Sequence, residues 1–364
     1  MNKRQGRFAL GVLALVSAAC ATLADAETGG ENLPSAGGGP FRALSKDEVG
    51  AGRTGPNVLV DDKTFPRNAT VIDADGDPST PEVFGYFAMT PKPATGDPNP
   101  LAKAREIVRY RAIDGRSFAD ASETVLTIEA PWEGAFIDSP SAVRVGQEVF
   151  LYYTAEGGIG LARSTDGVTF LREPGPVLGP ESSNWEAGKM PSSPGVVRLD
   201  DGSFLMFYDV AGDAENSRRI GEAHSADGIS WTRVGNAAVL EPQVDVDENN
   251  LFFDGVAVEA PYPVLAKSSE GRSMLRVYYA ALDAHGRRAI GLAARFEATS
   301  GALERSIGQV FGGSLRPGEP CVLVRPGYSL LFVTQFEGSF KSQQIPAIAA
   351  GLSPIDAVLS APSE

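Results

Sequence analysis

Short apolar runs rich in aromatic and β-branched residues recur along the chain, separated by polar punctuation. Five stand out: Val83 to Met89, Val149 to Thr154, Phe204 to Tyr208, Leu275 to Tyr279 and Ser329 to Thr334. Each is short and bounded by Gly, Asp or Ser, the composition of a strand packed in a core. A second pattern follows them. It reads Ile159-Gly160-Leu161-Ala162-Arg163-Ser164-Thr165-Asp166-Gly167-Val168-Thr169-Phe170 and returns as Ile220-Gly221-Glu222-Ala223-His224-Ser225-Ala226-Asp227-Gly228-Ile229-Ser230-Trp231. A looser copy runs from Val108 to Phe118 through Asp114-Gly115. Another, Ile290-Gly291-Leu292-Ala293-Ala294, lacks the Asp-Gly and keeps a turn at Ser300-Gly301. Asp-Gly between alternating residues signals a hairpin, because both turn residues accept positive φ. Upstream of the aromatic runs, five strands are expected to start at Pro81, Pro140, Pro194, Pro261 and Pro320, since proline costs no ladder bond at a strand's first position.

Each unit thus reads as a proline-started strand, an aromatic strand, an Ile-Gly-x-Ala strand and a fourth, outer strand. Repetition at a fixed period is the signature of a repeat architecture. Four antiparallel strands repeated radially predict an all-β fold, a five-bladed β-propeller of four-stranded antiparallel blades. Helical periodicity is nearly absent, and Leu101 to Val108 is the one segment where a short helix is conceivable.

The front of the chain has another character. Lys3, Arg4 and Arg7 precede an uncharged apolar run from Phe8 to Ala19, and Ala24-Asp25-Ala26 offers a small-x-small cleavage site. Residues 1–26 therefore read as a secretory signal. Val16-Ser17-Ala18-Ala19-Cys20 also fits a permissive lipobox, so a signal ending before a lipidated Cys20 is the alternative. Residues 27–56, rich in Gly, Ser and Pro, read as a flexible linker, which leaves 57–364 as the propeller domain. An extracytoplasmic location is expected: secreted, periplasmic or lipid-anchored at the cell surface. No later stretch is long and apolar enough to span a membrane.

Composition narrows the partners. The net charge of −14 lacks the basic footprint that nucleic acid requires. Besides Cys20 the only cysteine is Cys321, so the mature domain has no internal disulfide. His224 and His285 are too few for a His-rich zinc site and read as surface or turn residues. A monomer without a cofactor is expected. Asp73-Ala74-Asp75-Gly76-Asp77 and Asp245-Val246-Asp247-Glu248-Asn249 read as solvated acidic loops, with calcium as the alternative. Asn68-Ala69-Thr70 is formally a glycosylation sequon, to which a bacterial-looking leader gives no weight.

The residues before the prolines carry the candidate chemistry. Three approaches resemble one another: Trp132-Glu133 leading to Asp138-Ser139-Pro140, Trp185-Glu186 and Lys189 leading to Ser192-Ser193-Pro194, and Phe253-Asp254 leading to Glu259-Ala260-Pro261. The fifth unit brings Glu319 beside Pro320, and the first offers only Ser79-Thr80-Pro81. Aromatic faces can stack on sugar rings and carboxylates can accept hydroxyl hydrogen bonds. Trp132, Glu133, Trp185, Glu186, Lys189, Phe253, Asp254 and Glu319 are accordingly the candidate carbohydrate-binding residues. Two carboxylates across a channel can divide acid and base work on a glycosidic bond.

The Asp-Ser-Pro strand start, the Phe-Leu-Tyr-Tyr-Thr strand, the Ile-Gly-Leu-Ala-x-Ser-x-Asp-Gly-x-x-Phe ending and the Trp-Glu-Ala-Gly-Lys approach together resemble the five-bladed propeller glycosidases. That group includes arabinanases, β-xylosidases, invertases, levansucrases and mannoside phosphorylases, and the resemblance covers roughly Asp61 to Pro354. It implies Asp138 as the catalytic base and Glu259 as the acid. The supporting Asp of the group has no counterpart, because Ser192 stands at that place. The expected function is a carbohydrate-active propeller, glycoside hydrolase-like, acting on an extracellular glycan. The alternative is a non-catalytic surface propeller that binds a glycan or a protein.

Overall fold

The computed structural model describes residues 41–49, 57–59, 64–91, 103–118, 122–244, 252–267, 273–306, 308–312, 316–326, 328–336 and 346–353. The leader with Cys20 and the acidic run from Asp245 to Asn249 lie outside the described residues. Near the front come β1 (Arg42–Ala43), the single-turn α1 (Lys46–Val49) and β2 (Asn57–Leu59). The first unit holds β3 (Thr64–Asp73), β4 (Val83–Pro91), β5 (Glu106–Ala112) and β6 (Glu123–Thr127). The second holds β7 (Ile137–Val145), β8 (Glu148–Ala155), β9 (Gly158–Ser164) and β10 (Leu171–Arg172). The third holds β11 (Ser192–Arg198), β12 (Phe204–Ala211), β13 (Arg218–Ser225) and β14 (Thr232–Arg233). The fourth holds β15 (Ala257–Lys267), β16 (Ser273–Leu282), β17 (Arg288–Phe296) and β18 (Glu304–Arg305), and the last β19 (Pro317–Arg325), β20 (Tyr328–Phe336) and β21 (Pro346–Ser353).

Each of the first four units is an antiparallel four-stranded meander. The third and fourth touch through one parallel bridge, Arg218 to Ala257. In the last unit the outer positions are filled from the front of the chain: β1 and β2 both pair with β21. The first strands contact one another in turn, β3 with β7, β7 with β11, β11 with β15, β15 with β19, and β19 with β3. This is the arrangement of a β-propeller.

The apolar core lies between units. Phe150 and Tyr152 of β8 pack with Phe204, Met206 and Tyr208 of β12. Leu205 and Phe207 pack with Leu275, Val277 and Tyr279 of β16. Val71 and Phe87 meet Cys321, Leu330 and Phe332 across the seam between the first and last units. Buried hydroxyls clip the same seams. The Tyr86 hydroxyl donates to the Gly167 carbonyl at 3.1 Å, and that of Tyr152 to the Gly228 carbonyl at 2.7 Å. The accepting glycines belong to the Asp-Gly turns, which are not the expected type with positive φ at both residues. Only the glycine is left-handed, at 71° and 77°. The aspartate is an Asx acceptor: Asp166 Oδ1 takes the N–H groups of Val168 and Thr169 at 2.8 and 2.7 Å.

Two sequence expectations need correction. Pro81 starts no inner strand, since it lies in the turn before β4, and the first unit's inner strand is β3. The domain does not begin at residue 57. Phe41, Leu44 and Val49, placed by composition in the linker, are buried, and Phe41 packs edge-on against Tyr278 at 6.1 Å. The end of the conceivable helix, from Glu106 onward, is strand β5, whose alternation in a two-sided sheet overrides weak helical propensity.

Candidate active site

Every inner strand carries the same irregularity. Its pairing with the second strand slips between Arg67 and Ala69, Asp138 and Ser141, Ser192 and Gly195, Glu259 and Tyr262, and Gly318 and Cys321. At each slip one residue is left-handed: Asn68 (48°), Ser139 (49°), Ser193 (49°), Ala260 (48°) and Glu319 (56°). None is a glycine, and four of them precede a proline, so each bulge is strained by about 1–3 kcal/mol. Bulges re-aim side chains and cluster near active sites. Here they surround a small central cavity of about 30 Å³. The residues just before them, Arg67, Asp138, Ser192, Glu259 and Gly318, form the next ring outward along the chain.

Above this ring lies a basin of about 460 Å³, lined by Asp138, Asp209, Glu259 and Glu319 together with Arg67, Lys103, Arg218 and Arg288. Asp138 Oδ1 accepts from Asn68 Nδ2 at 2.5 Å and from the Ser139 N–H at 2.8 Å. Among the described residues its Oδ2 has only the Ala104 N–H, at 3.5 Å. Glu319 takes Arg67 Nη2 on Oε1 at 2.8 Å, and the Asn68 N–H and Thr334 hydroxyl on Oε2 at 3.1 and 2.5 Å. Asp209 takes the Ser192 hydroxyl at 2.6 Å and Arg218 Nη2 on Oδ1, and the Ala260 N–H on Oδ2 at 2.8 Å. Glu259 Oε1 accepts from Arg288 at 2.6 Å, and Oε2 lies 3.8 Å from Arg218 Nε. Burial works against the charge of Arg67, but Asp138 and Glu319 hold its pKa above the usual value. Arg218 is raised in the same way by Asp209 and Glu259.

The basin therefore brings together Asp138, Glu259 and Glu319 from three units. It also supplies what the sequence lacked, a further aspartate. Asp209 is the cross-strand partner of Ser192, so the carboxylate missing from β11 is carried by β12. At the corresponding place β8 has Thr154 opposite Asp138, and β20 has Thr334 opposite Gly318. The signal was the Asp ending the Phe-Leu-Met-Phe-Tyr run where its sister run ends in Thr. Arg67, Lys103, Arg218 and Arg288 had no pattern to betray them. Asn68 is a buried bulge residue, and Ala69 stands where the other inner strands have a proline.

The aromatic–carboxylate pairs lie elsewhere, and their assignment to sugar binding is corrected. Glu133, Glu186 and Asp254 are 0%, 1% and 0% exposed. Each accepts a tyrosine hydroxyl from the second strand of its unit: Tyr153 at 2.7 Å, Tyr208 at 2.5 Å and Tyr279 at 2.9 Å. Each also pairs with an arginine from the fourth strand: Arg172, Arg233 and Arg305. Trp132 stacks on Tyr153 with centroids 6.0 Å apart, and Phe253 on Tyr279 at 6.5 Å. A Cβ on Gly221 would come within 2.8 Å of Trp185 and 2.6 Å of Tyr208, so the Ile-Gly-x-Ala glycine makes room for this lock. Lys189 is tied to the Gly212 carbonyl at 2.9 Å and Asp213 at 2.6 Å. None of these residues lines the basin.

His224 pairs with Glu222 at 2.7 Å, away from the basin. In the loop from Asp73 to Asp77, the Asp75 carboxylate accepts the Asp77 N–H and the Thr80 hydroxyl, both at 2.9 Å, and Asp73 pairs with Arg325. Among the described residues no cluster of three or more His, Cys, Asp or Glu is placed to hold a metal.

No protein-family model matches the sequence, and no curated protein does. Solved structures match over nearly their whole length. A putative glycosidase from Bacteroides thetaiotaomicron superposes with a TM-score of 0.59 at 13% identity, covering 86% of this chain and 96% of that one. A glycosyl hydrolase from Bacteroides ovatus gives 0.60 at 13% identity, with 88% and 95% covered. The endo-arabinase of B. thetaiotaomicron gives 0.52 at 15% identity, with 79% and 97% covered. The fold is glycosidase-like. It is shared with a family-43 glycoside hydrolase and with a structure described under the GH130 mannoside phosphorylases, and at 13% and 12% identity the likeness is one of fold. Among the described residues no helix is long and apolar enough to cross a membrane.

Proposed function

We propose that the five units are blades of one closed propeller, exported by its leader, and that the basin is the active site of a glycoside hydrolase-like enzyme. Its substrate is an extracellular glycan and its chemistry is a two-carboxylate mechanism. One observation carries this reading. Of the four basin carboxylates, Asp209 and Glu319 have both oxygens occupied by close donors, whereas Asp138 and Glu259 each keep one oxygen with no donor nearer than 3.5 Å among the described residues. These two are free to exchange protons with a ligand. Glu259 delivers a proton to the glycosidic oxygen as the bond from that oxygen to the anomeric carbon breaks. Asp138 takes a proton from the water that adds to the carbon. Asp209 and Glu319, held by arginines, fix the walls in which the pair works.

Reducing-end release from a panel of plant and microbial oligosaccharides tests this. Asp138→Asn and Glu259→Gln are each expected to cut turnover by at least about 100-fold with the melting temperature unchanged. Full activity in both variants would overturn the assignment.

A second reading, a non-catalytic glycan-binding propeller, is favoured by the ion pair of Glu259 with Arg288 at 2.6 Å. A proton donor must first leave that pair. Glycan binding without turnover, unaffected by Glu259→Gln, is its signature.

A further inference from the structure

The basin has spent most of its acceptors and retained donors. Asp209 and Glu319 are saturated by hydrogen bonds from arginine, hydroxyl and backbone groups. On the donor side, Arg218 uses Nη2 on Ser192 and Asp209, and among the described residues its Nη1 makes no hydrogen bond. Lys103 goes further. Its ammonium sits 3.5 Å from the centroid of the Phe136 ring and, among the described residues, makes no hydrogen bond or ion pair. Loss of solvation lowers its pKa; among the charges, Asp138 raises it most, Arg218 lowers it, and Glu156 and Arg67 follow with opposite signs. Lys103 lines the same basin as Arg67, Arg218 and Arg288, with Asp138 as its strongest charge partner. Side-chain exposure is 27% for Arg218, 20% for Glu259 and 1% for Asp209.

The open oxygens of Asp138 and Glu259 can accept from the hydroxyls of any sugar, but a neutral sugar would leave the Lys103 ammonium without a counter-charge, which an oxyanion supplies. We propose that the basin binds an acidic sugar, whose oxyanion, a uronate carboxylate or a sulfate ester, is seated between Lys103 and Arg218. Charge-assisted bonds to such an oxyanion are shorter and stronger than those to a hydroxyl. The inference rests on the glycan reading above and specifies its substrate class.

The test is a binding screen of the whole chain on an array of neutral, uronate-containing and sulfated oligosaccharides. Isothermal titration follows with the best acidic ligand, with its carboxyl-reduced or desulfated counterpart, and with inorganic sulfate alone. The acidic form is expected to bind about ten-fold more tightly than its neutral counterpart, to weaken with added salt, and to lose that preference in Lys103→Met but regain it in Lys103→Arg. The array separates uronate from sulfate ester. Lys103 is exposed, so its replacement leaves the core untouched. Equal binding of neutral and acidic glycans, or a preference indifferent to Lys103→Met, overturns the inference and leaves the glycan reading standing. Capture of inorganic sulfate without any saccharide overturns both, as does an array with no saccharide bound.

Discussion

The Ser192 hydroxyl donates to Asp209 Oδ1 at 2.6 Å across the register pair that joins β11 to β12. The other basin carboxylates on inner strands sit at or beside the bulge, so this pair has its acid on the opposite strand. Asp209 is buried and holds Arg218. Asp209→Ser should cost about 3 kcal/mol, because it leaves a guanidinium without its main anion. Adding Ser192→Asp should return part of that loss, since the new carboxylate would face the same arginine. Denaturant unfolding of the two single variants and the double gives the coupling. A double variant no more stable than the sum of the singles would show that the positions are not interchangeable.

Gly221→Ala should destabilise by about 1–3 kcal/mol, because the added methyl runs into the Tyr208 and Trp185 rings. The fall in melting temperature should be largely reversed by Trp185→Leu, which vacates part of that space. No reversal would place the strain in the backbone of β13.

Glu186→Gln breaks a buried ion pair with Arg233, whose Nε and Nη2 lie at 2.7 and 2.9 Å, and should cost about 3–5 kcal/mol. Glycan affinity of the surviving folded fraction should not change. A selective loss of affinity with stability intact would return Trp185 and Glu186 to the binding surface.

Asp227 is held down to a pKa of about 2, chiefly by the backbone N–H groups of Ser230 and Ile229. A folded pKa below the ordinary aspartate value of about 3.9 contributes stability above that value and loses it as pH falls toward 2. Asp227→Ala should therefore be less stable than the parent at neutral pH, with the gap closing between about pH 4 and 2. Urea melts across that range check the sign, and a gap that persists at pH 2 would contradict it.

The second and third strands were legible because their aromatics and Ile-Gly-x-Ala runs meet the same seam environment in every unit. Asp138 and Glu259 were legible because proline marks the bulge that follows them. The first inner strand was hidden for the same reason: Asn68-Ala69 takes up the bulge without a proline, and Pro81 offers a decoy. The aromatic–carboxylate pairs were misread through their repetition. A ligand touches units unequally, so a feature kept in three successive units belongs to what they share, the packing of Tyr153, Tyr208 and Tyr279. Arg67, Arg218 and Arg288 come together only through the ring of strands, and no local pattern records that.

The first and last described strands are neighbours, with Arg42 opposite Leu352 and Ala43 opposite Gly351. The last sheet therefore cannot be completed while the tail is still in the ribosome, however early the other sheets form. The same adjacency makes the position of the chain ends incidental to the architecture. A short peptide joining Ser353 to Phe41, with new ends opened at the exposed Asp200-Asp201 turn, would retain every strand pairing except the local turn, and such a permuted chain could build the last sheet before the middle ones.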